Sequence, residues 1–282
     1  KIDLKGKGYA KGKGPGAVGL SGSGASHGGR GGWNGPGCVC GPTYGSVFEP
    51  VTLGSGGINS PYFGTAGGGA VKLVVAGTLT VNGAIDAEGA DDMVPQMGPG
   101  TETGYYTGAG GSIWLDAACV EGVGKITVEG GMQTHGTGGG GGRIAIYTRS
   151  ANAPSGELDL TACAGRCWVA AGDIVPRGSS GTIYLEGKDD ESGAGRIVIR
   201  NPKGAIYDAF QSAMRLPAEV DGDPARAFSH VTLDISPNSW VVLTSDLLVD
   251  EMEFTSGNTL YLDGHTLTIR SLKHRKRSSA KG

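Results

Sequence analysis

The chain has 282 residues, among them 55 glycines and 13 prolines, and its formal net charge at pH 7 is −3. This glycine share far exceeds the usual roughly 7%, yet no strict Gly-X-Y period runs through the sequence, which excludes collagen. The near-neutral charge gives no indication of a broad basic surface for nucleic acid, and no apolar run reaches the ~18 residues that a membrane-spanning helix needs.

The first region, residues 1–67, is rich in glycine and has few strand-like runs. Because glycine is costly to order, this region could be a flexible arm. Because glycine also permits close approach, it could instead be extended backbone packed across a sheet. Aromatic side chains that need somewhere to bury favour the packed alternative: they are Trp33, Tyr44, Phe48, Tyr62 and Phe63.

Residues 68–200 contain four repeats, in each of which a glycine pair or its near equivalent precedes an alternating apolar run and a second run follows. A repeated two-strand unit cannot bury its apolar face alone and must stack on its neighbours, which builds a solenoid. The pattern predicts one column of stacked side chains from the first runs, at Val71, Ile113, Ile144 and Ile183. The equivalent positions in the second runs are Leu79, Ile126, Leu158 and Ile197.

The remaining chain divides into three parts. Residues 201–228 contain three prolines and an Asp-Gly-Asp turn, which predict a long excursion from the repeats. Residues 229–272 return to alternating apolar runs and predict further β rungs. Residues 273–282 are basic and small, and we expect a solvated tail or a linker.

The chain contains five cysteines, and an odd number leaves at least one outside any internal pairing. Their spacings match no common zinc module, whereas disulfides would fit an extracellular β protein. Cys163 and Cys167 are the easiest local pair, and Cys119 could then pair with Cys38 or Cys40.

Three glycine-rich phrases resemble a known sequence type: residues 24–32, 67–83 and 138–147. They are similar to glycine-rich β-helix segments in large, mostly uncharacterised secreted or cell-surface proteins of bacteria, protists and plants. The resemblance covers roughly residues 1–270 and implies an all-β, right-handed parallel β-helix with irregular loops, in an extracellular or cell-surface setting. It transfers no catalytic residue, cofactor or metal ligand.

Candidate catalytic and metal-binding groups are few. Asp91-Asp92 and His135-Gly136 resemble fragments of a pectinase-type pattern whose other parts are missing, so solvated turn carboxylates are the simpler interpretation. Asp189-Asp190-Glu191 lacks the spaced ligands of a calcium loop and is interpreted as a polar turn. His27, Arg30 and His135 are interpreted as hydrogen-bonding loop residues.

Four aromatic residues are candidates for stacking on sugar rings: Trp33, Tyr105, Tyr106 and Trp114. Filling of the core is an equally good explanation for them. Trp114 alternates outward from Ile113 and Leu115, so it is the best exposed candidate.

The regular repeats and the absence of an assembled catalytic group favour a non-catalytic structural module, such as part of an adhesin stalk, a coat or an appendage filament. Its expected partners are other copies or further domains of the same surface protein, with no nucleic acid and no membrane insertion. A carbohydrate-binding module that uses loops 82–110 and 201–228 is the alternative, and a polysaccharide-degrading enzyme is a third. The chain begins at Lys1 without a signal peptide, and we interpret it as a mature or excised segment.

Overall fold

The structure is a computed structural model that describes residues 1–19, 23–33, 37–58, 63–92, 105–133, 136–168, 174–176, 178–201, 209–236, 238–255 and 257–274, with the backbone alone for residues 105, 167, 168, 174–176, 209, 273 and 274. From the N to the C terminus the strands are β1 (Ile2–Asp3), β2 (Ala70–Thr80), β3 (Ala84–Asp86), β4 (Tyr105–Tyr106), β5 (Ser112–Gly122), β6 (Lys125–Thr127), β7 (Gly136–Thr137), β8 (Arg143–Thr148), β9 (Ser155–Gly156), β10 (Asp159–Thr161), β11 (Arg166–Trp168), β12 (Ile174–Pro176), β13 (Thr182–Glu186), β14 (Arg196–Ile199), β15 (Met214–Leu216), β16 (Thr232–Ile235), β17 (Trp240–Leu243), β18 (Leu247–Phe254), β19 (Thr259–Tyr261) and β20 (Leu267–His274). One short α-helix, α1 (Ala209–Ser212), and one 3₁₀ turn (Ala225–Phe228) accompany them.

The fold is all-β, as the sequence predicts. Its main sheet has the strand order β2-β5-β8-β13-β14-β16-β18-β20, with β9 paired to the end of β5. Neighbouring strands in this sheet are parallel except for β13 and β14, which form an antiparallel hairpin. No helix in the described part of the chain has the length and apolar character to cross a membrane.

The predicted column of side chains is confirmed. Val71 pairs in register with Ile113, Ile113 with Ile144, and Ile144 with Ile183. The three isoleucines are buried, whereas Val71 on the terminal strand β2 is only half-buried. We call this set the aliphatic column.

The second column differs from the prediction in three of its four members, and only Ile126 lies where it is expected. A four-stranded parallel sheet, β1-β3-β6-β10, aligns Ile85 with Ile126 and Ile126 with Leu160. Leu79 lies instead in β2, because that strand continues through Gly77 for 11 residues. Leu158 precedes β10, so Leu160 rather than Leu158 aligns with Ile126.

The fourth repeat departs from the prediction more strongly. Ile197 belongs to β14, which turns back on β13 and pairs antiparallel with Tyr184. Ile183 faces one core together with Ile113 and Ile144, whereas Tyr184 and Ile197 face a second core. The main sheet therefore buries one face in its first half and the opposite face in its second half. The second core is closed by the parallel sheet β15-β17-β19.

Extended glycine-rich segments form the remaining side of the first half. They comprise residues 24–32, 54–57, 64–69, 87–90, 107–111, 129–131, 138–142, 162–165 and 178–181, and we call them the glycine bundle. Backbone hydrogen bonds join these segments in several directions, such as Gly29 N–H to Gly141 O at 2.8 Å and Gly140 N–H to Ala25 O at 2.9 Å. This part of the N-terminal region is therefore extended backbone that is hydrogen-bonded to other segments.

Glycine is required in the bundle because backbone lies directly on backbone. A Cβ at Gly142 would lie within 2.9 Å of three backbone atoms of Gly110 and Gly111. Side chains cannot occupy such a gap, and neighbouring backbone that is already hydrogen-bonded has little freedom to withdraw.

The glycine bundle yields a matched pair of variants. Gly142→Ala should lower the free energy of unfolding by roughly 2–3 kcal/mol, because the added methyl group overpacks a rigid backbone contact. Gly77→Ala is the control, since a Cβ there meets nothing within 4 Å. It should change stability by less than about 1 kcal/mol. Urea unfolding measures both, and equal values for the two variants would contradict the packing described here.

Candidate functional site

The outer face of the main sheet, opposite the aliphatic column, carries two rows of larger side chains. Trp114 of β5 aligns with Ala145 of β8, which aligns with Tyr184 of β13. Two residues further along, Asp116, Tyr147 and Glu186 align in the same way. Because alternate residues of a strand share one face, both rows point to the same side of the sheet.

Two distant segments complete this face. Residues 46–49 and Asp223 lie over the rows, and with the turn at residues 192–193 they border a cavity of about 310 Å³ that is open to solvent. We call it the aromatic–acid cavity. It is lined by Ser46, Phe48, Glu49, Trp114, Asp116, Tyr147, Glu186, Ser192, Gly193 and Asp223.

The aromatic rings of the cavity form a contiguous cluster. The ring centroids of Trp114 and Tyr147 are 6.2 Å apart, and those of Tyr147 and Tyr184 are 5.6 Å apart. Phe48 packs edge-on against Tyr184 with 4.9 Å between centroids, and the Tyr147 hydroxyl donates to the Phe48 carbonyl at 2.8 Å. The Nζ atom of Lys72 lies 3.2 Å from the centroid of the Trp114 ring, which is a cation–π contact.

Two of the four carboxylates are used to build the wall. Glu186 accepts the Tyr184 hydroxyl at 2.5 Å and the Gly193 N–H at 2.8 Å. Asp223 accepts the Ser46 hydroxyl at 2.5 Å and the Val47 N–H at 2.6 Å. These bonds fix the turn at residues 192–193 and the segment at residues 46–49.

The other two carboxylates, Asp116 and Glu49, do not hold these wall segments. Asp116 forms an ion pair with Arg149 at 2.5 Å, and Glu49 is exposed. Burial raises the pKa of the Tyr147 phenol, and the negative charges of Glu186 and Glu49 raise it further. The cavity is therefore a region of negative potential. No group of three or more His, Cys, Asp or Glu side chains among the described residues is placed to hold a metal ion.

The structure separates the four candidates for sugar stacking. Trp114 lines the cavity, although Lys72 covers part of its ring. Tyr106 is buried and its ring is inaccessible. Trp33 is half-buried and its indole N–H donates to the Cys38 carbonyl at 3.1 Å. The side chain of Tyr105 lies outside the described residues.

Asp91 lies in a second cleft of about 220 Å³, on the edge of the small parallel sheet. Lys5 Nζ bridges Asp91 at 2.6 Å and Glu88 at 3.0 Å. Burial alone would raise the pKa of Glu88, but the hydrogen bond and charge of Lys5 and the charge of Lys125 outweigh it and lower that pKa. Burial raises the pKa of the neighbouring Glu129. The cleft is thus occupied by its own ion pairs.

The remaining candidate groups have local structural roles. Asp189 forms an exposed ion pair with Lys188 at 2.5 Å, and Asp190 accepts the Gly187 N–H at 2.7 Å, as a polar turn requires. Asp92 is buried, and its backbone forms an isolated parallel β-bridge with that of Gln133. Arg30 forms an ion pair with Glu219 at 2.5 Å. His135 lies outside the described residues.

His27 is enclosed within the glycine bundle. Its Nδ1 lies 2.7 Å from the Gly110 carbonyl, and its Nε2 lies 2.8 Å from the Thr52 hydroxyl. Burial and then the nearby charge of Arg143 lower the pKa of His27 to about 3. The imidazole is therefore neutral, and it joins two segments by hydrogen bonds.

The predicted pairing of Cys163 with Cys167 involves a side chain outside the described residues, so it stays a prediction. Cys38 and Cys119 carry free thiols, and the side chain of Cys167 lies outside the description. Cys119 pairs with Thr78 inside the main sheet, whereas Cys38 lies beside Trp33 in the N-terminal region. Burial raises the pKa of the Cys163 thiol to about 12, which keeps it unreactive.

Of the residues that line the cavity, only Trp114 is a site residue predicted from the sequence. The alternation that selected Trp114 also indicates Tyr147, Tyr184 and Glu186. Tyr184 aligns with Trp114 through Ala145, and Tyr147 and Glu186 lie two positions further along their strands on the same face. Phe48, Glu49 and Asp223 carry no such signal, because they reach the cavity from segments far away in the sequence.

The chain matches no protein-family model, no curated protein and no solved structure. The interpretation of the site therefore depends on its own geometry.

The burial of His27 predicts a pH dependence of stability. Between pH 7 and pH 5 the unfolded chain protonates this histidine, whose ordinary pKa is about 6.5, while the native state keeps it neutral. The unfolded state then binds more protons, so stability should fall by about 2 kcal/mol over this interval. Urea unfolding at both pH values measures the change. His27→Gln should remove most of the difference, and an unchanged pH dependence in that variant would contradict this assignment.

Proposed function

We propose that the chain is a right-handed parallel β-solenoid, a non-catalytic structural module of an extracellular or cell-surface assembly. The observation that carries this proposal is the aliphatic column, in which residues 42, 31 and 39 positions apart in the sequence stack in register from β2 to β13. Such a column grows by adding rungs, each contacting only its neighbours. The extracellular setting is supported by the resemblance of the glycine-rich phrases.

The reversal at the β13–β14 hairpin is compatible with a single hand for the whole coil. Both the strand direction and the buried face of the sheet reverse there. Reversing the two together is a half-turn about the stacking axis, which leaves the hand of a coil unchanged. We propose a right hand because parallel crossovers are nearly always right-handed.

The main sheet has an open edge at β2. This strand has 11 residues and pairs only with β5 among the described strands. The N-terminal strand β1 pairs with β3 in the four-stranded sheet. No described strand pairs with the outer edge of β2 in the main sheet. Val71 and Leu73 remain half-buried, and Val74 is 63% exposed.

The opposite edge at β20 has the same character. Ile269 is half-buried there, and Leu272 is 66% exposed. Long strand edges with unpaired backbone and apolar side chains are templates for pairing with another chain. We therefore propose that another copy, or a further domain of the same protein, continues the main sheet at these edges.

Assembly through β2 can be tested with a matched pair of substitutions. Val74→Lys places a charge on the open edge and should abolish concentration-dependent association, as edge lysines do. Val123→Lys is the control, because Val123 is equally exposed at 66% but lies in the turn between β5 and β6. Analytical ultracentrifugation and electron microscopy report the outcome. A wild-type chain that stays monomeric at high concentration, or equal behaviour of both variants, would contradict assembly through this edge.

Carbohydrate binding is a second candidate function, and the aromatic–acid cavity favours it. Sugar rings stack their apolar faces on aromatic side chains and donate their hydroxyl groups to carboxylates. The cavity supplies Trp114, Tyr147 and Phe48 beside four carboxylates, and its volume lies near the lower end of the range for small-ligand sites.

A further inference from the structure

We propose that the aromatic–acid cavity binds a protonated amino sugar, such as a glucosamine unit of a polysaccharide. This inference depends on the carbohydrate-binding candidate above and adds the charge of the ligand. It follows from the charge of the lining, from the carboxylate that remains accessible and from an ammonium group already held at the aromatic cluster.

The charge of the lining disfavours an acidic ligand. Four carboxylates line the cavity, and no lysine, arginine or histidine is among the described residues that line it. Arg149 neutralises part of the charge on Asp116 from outside the lining. An anionic sugar such as a uronate would bring further negative charge to carboxylates that already repel one another. A cationic ligand would relieve that repulsion.

The carboxylates divide into two pairs with different tasks. Glu186 and Asp223 are held by hydrogen bonds from Tyr184, Gly193, Ser46 and Val47, so they shape the wall. Glu49 is exposed, and the side chain of Asp116 is 27% exposed. Glu49 is therefore the carboxylate most open to a ligand ammonium, with which it would form a charge-assisted hydrogen bond, whereas Asp116 is already paired with Arg149.

The aromatic cluster already holds an ammonium group. Lys72 Nζ on β2 lies 3.2 Å from the centroid of the Trp114 ring on β5. Asp116 follows Trp114 by two residues on β5. A cation is therefore favoured where aromatic faces and carboxylates meet. A ligand with an ammonium group beside an apolar face would use the same combination at Tyr147 and Phe48.

The variety of polar groups favours an amino sugar over a lysine side chain. A lysine presents one ammonium group on a narrow apolar stem. The cavity adds the hydroxyls of Ser46 and Ser192 and the backbone of Gly193 to its carboxylates. Several hydrogen-bonding groups around an aromatic wall match a sugar ring, which carries hydroxyl groups on its rim and an apolar face.

The experiment is isothermal titration calorimetry of the full chain at pH 6 and low ionic strength, with four probes. They are a glucosamine hexamer, an N-acetylglucosamine hexamer, a galacturonate hexamer and a lysine hexapeptide. The glucosamine hexamer should bind at least about 10-fold more tightly than its acetylated counterpart, because acetylation removes the charge. Added salt should weaken this binding.

Substitutions locate the binding. Glu49→Gln should weaken binding of the glucosamine hexamer by roughly 5- to 10-fold, since one charged partner is lost. Glu157→Gln is the control, because Glu157 is also exposed and does not line the cavity. It should leave the affinity unchanged, and thermal unfolding of both variants shows that they remain folded.

Each outcome has a distinct meaning. Equal binding of the acetylated and deacetylated hexamers would overturn the charge preference and leave carbohydrate binding in place. Binding of the galacturonate hexamer would also overturn it. Binding of the lysine peptide as tightly as the amino sugar would overturn the choice of a sugar. No binding of any sugar would reject both this inference and the carbohydrate-binding candidate.

Discussion

Contact of backbone with backbone in the glycine bundle is the constraint on which the rest of the structure depends. The segments before β2, β5, β8 and β13 lie so close to their neighbours that a Cβ at Gly68, Gly111, Gly142 or Gly181 would overlap carbonyl groups. Each such segment enters its strand at a fixed position relative to the previous one. This fixes the register of Val71, Ile113, Ile144 and Ile183, and so it creates the aliphatic column.

The same register positions the aromatic–acid cavity. Once Ile113, Ile144 and Ile183 align on one face, Asp116, Tyr147 and Glu186 must align on the other. Residues 46–49 complete the cavity because the N-terminal region is tied to the bundle, with Tyr44 N–H donating to the His27 carbonyl at 3.0 Å. Glycine packing on one side of the fold therefore determines which side chains meet on another.

Features of the fold that are set by neighbouring residues in the sequence could be predicted, whereas features that depend on distant segments could not. The glycine pairs preceding each strand mark the phase of the aliphatic column, so its four members were correctly predicted. The second column was partly wrong, because Gly77 is accommodated inside β2 rather than ending it. The β13–β14 hairpin was missed because the run at residues 196–199 alternates in the same way whether it pairs parallel or antiparallel. Phe48 and Asp223 meet Trp114 only through the folded chain.

The central claim is that the glycine-rich segments are ordered, hydrogen-bonded structure. Amide hydrogen exchange measured by NMR tests it most directly at Gly29, Gly68, Gly110 and Gly140, whose N–H groups donate to other segments of the bundle. These amides should be protected to the same degree as those of β5 and β8, because they open only when the fold opens. Exchange at the rate of an unstructured chain would contradict the account.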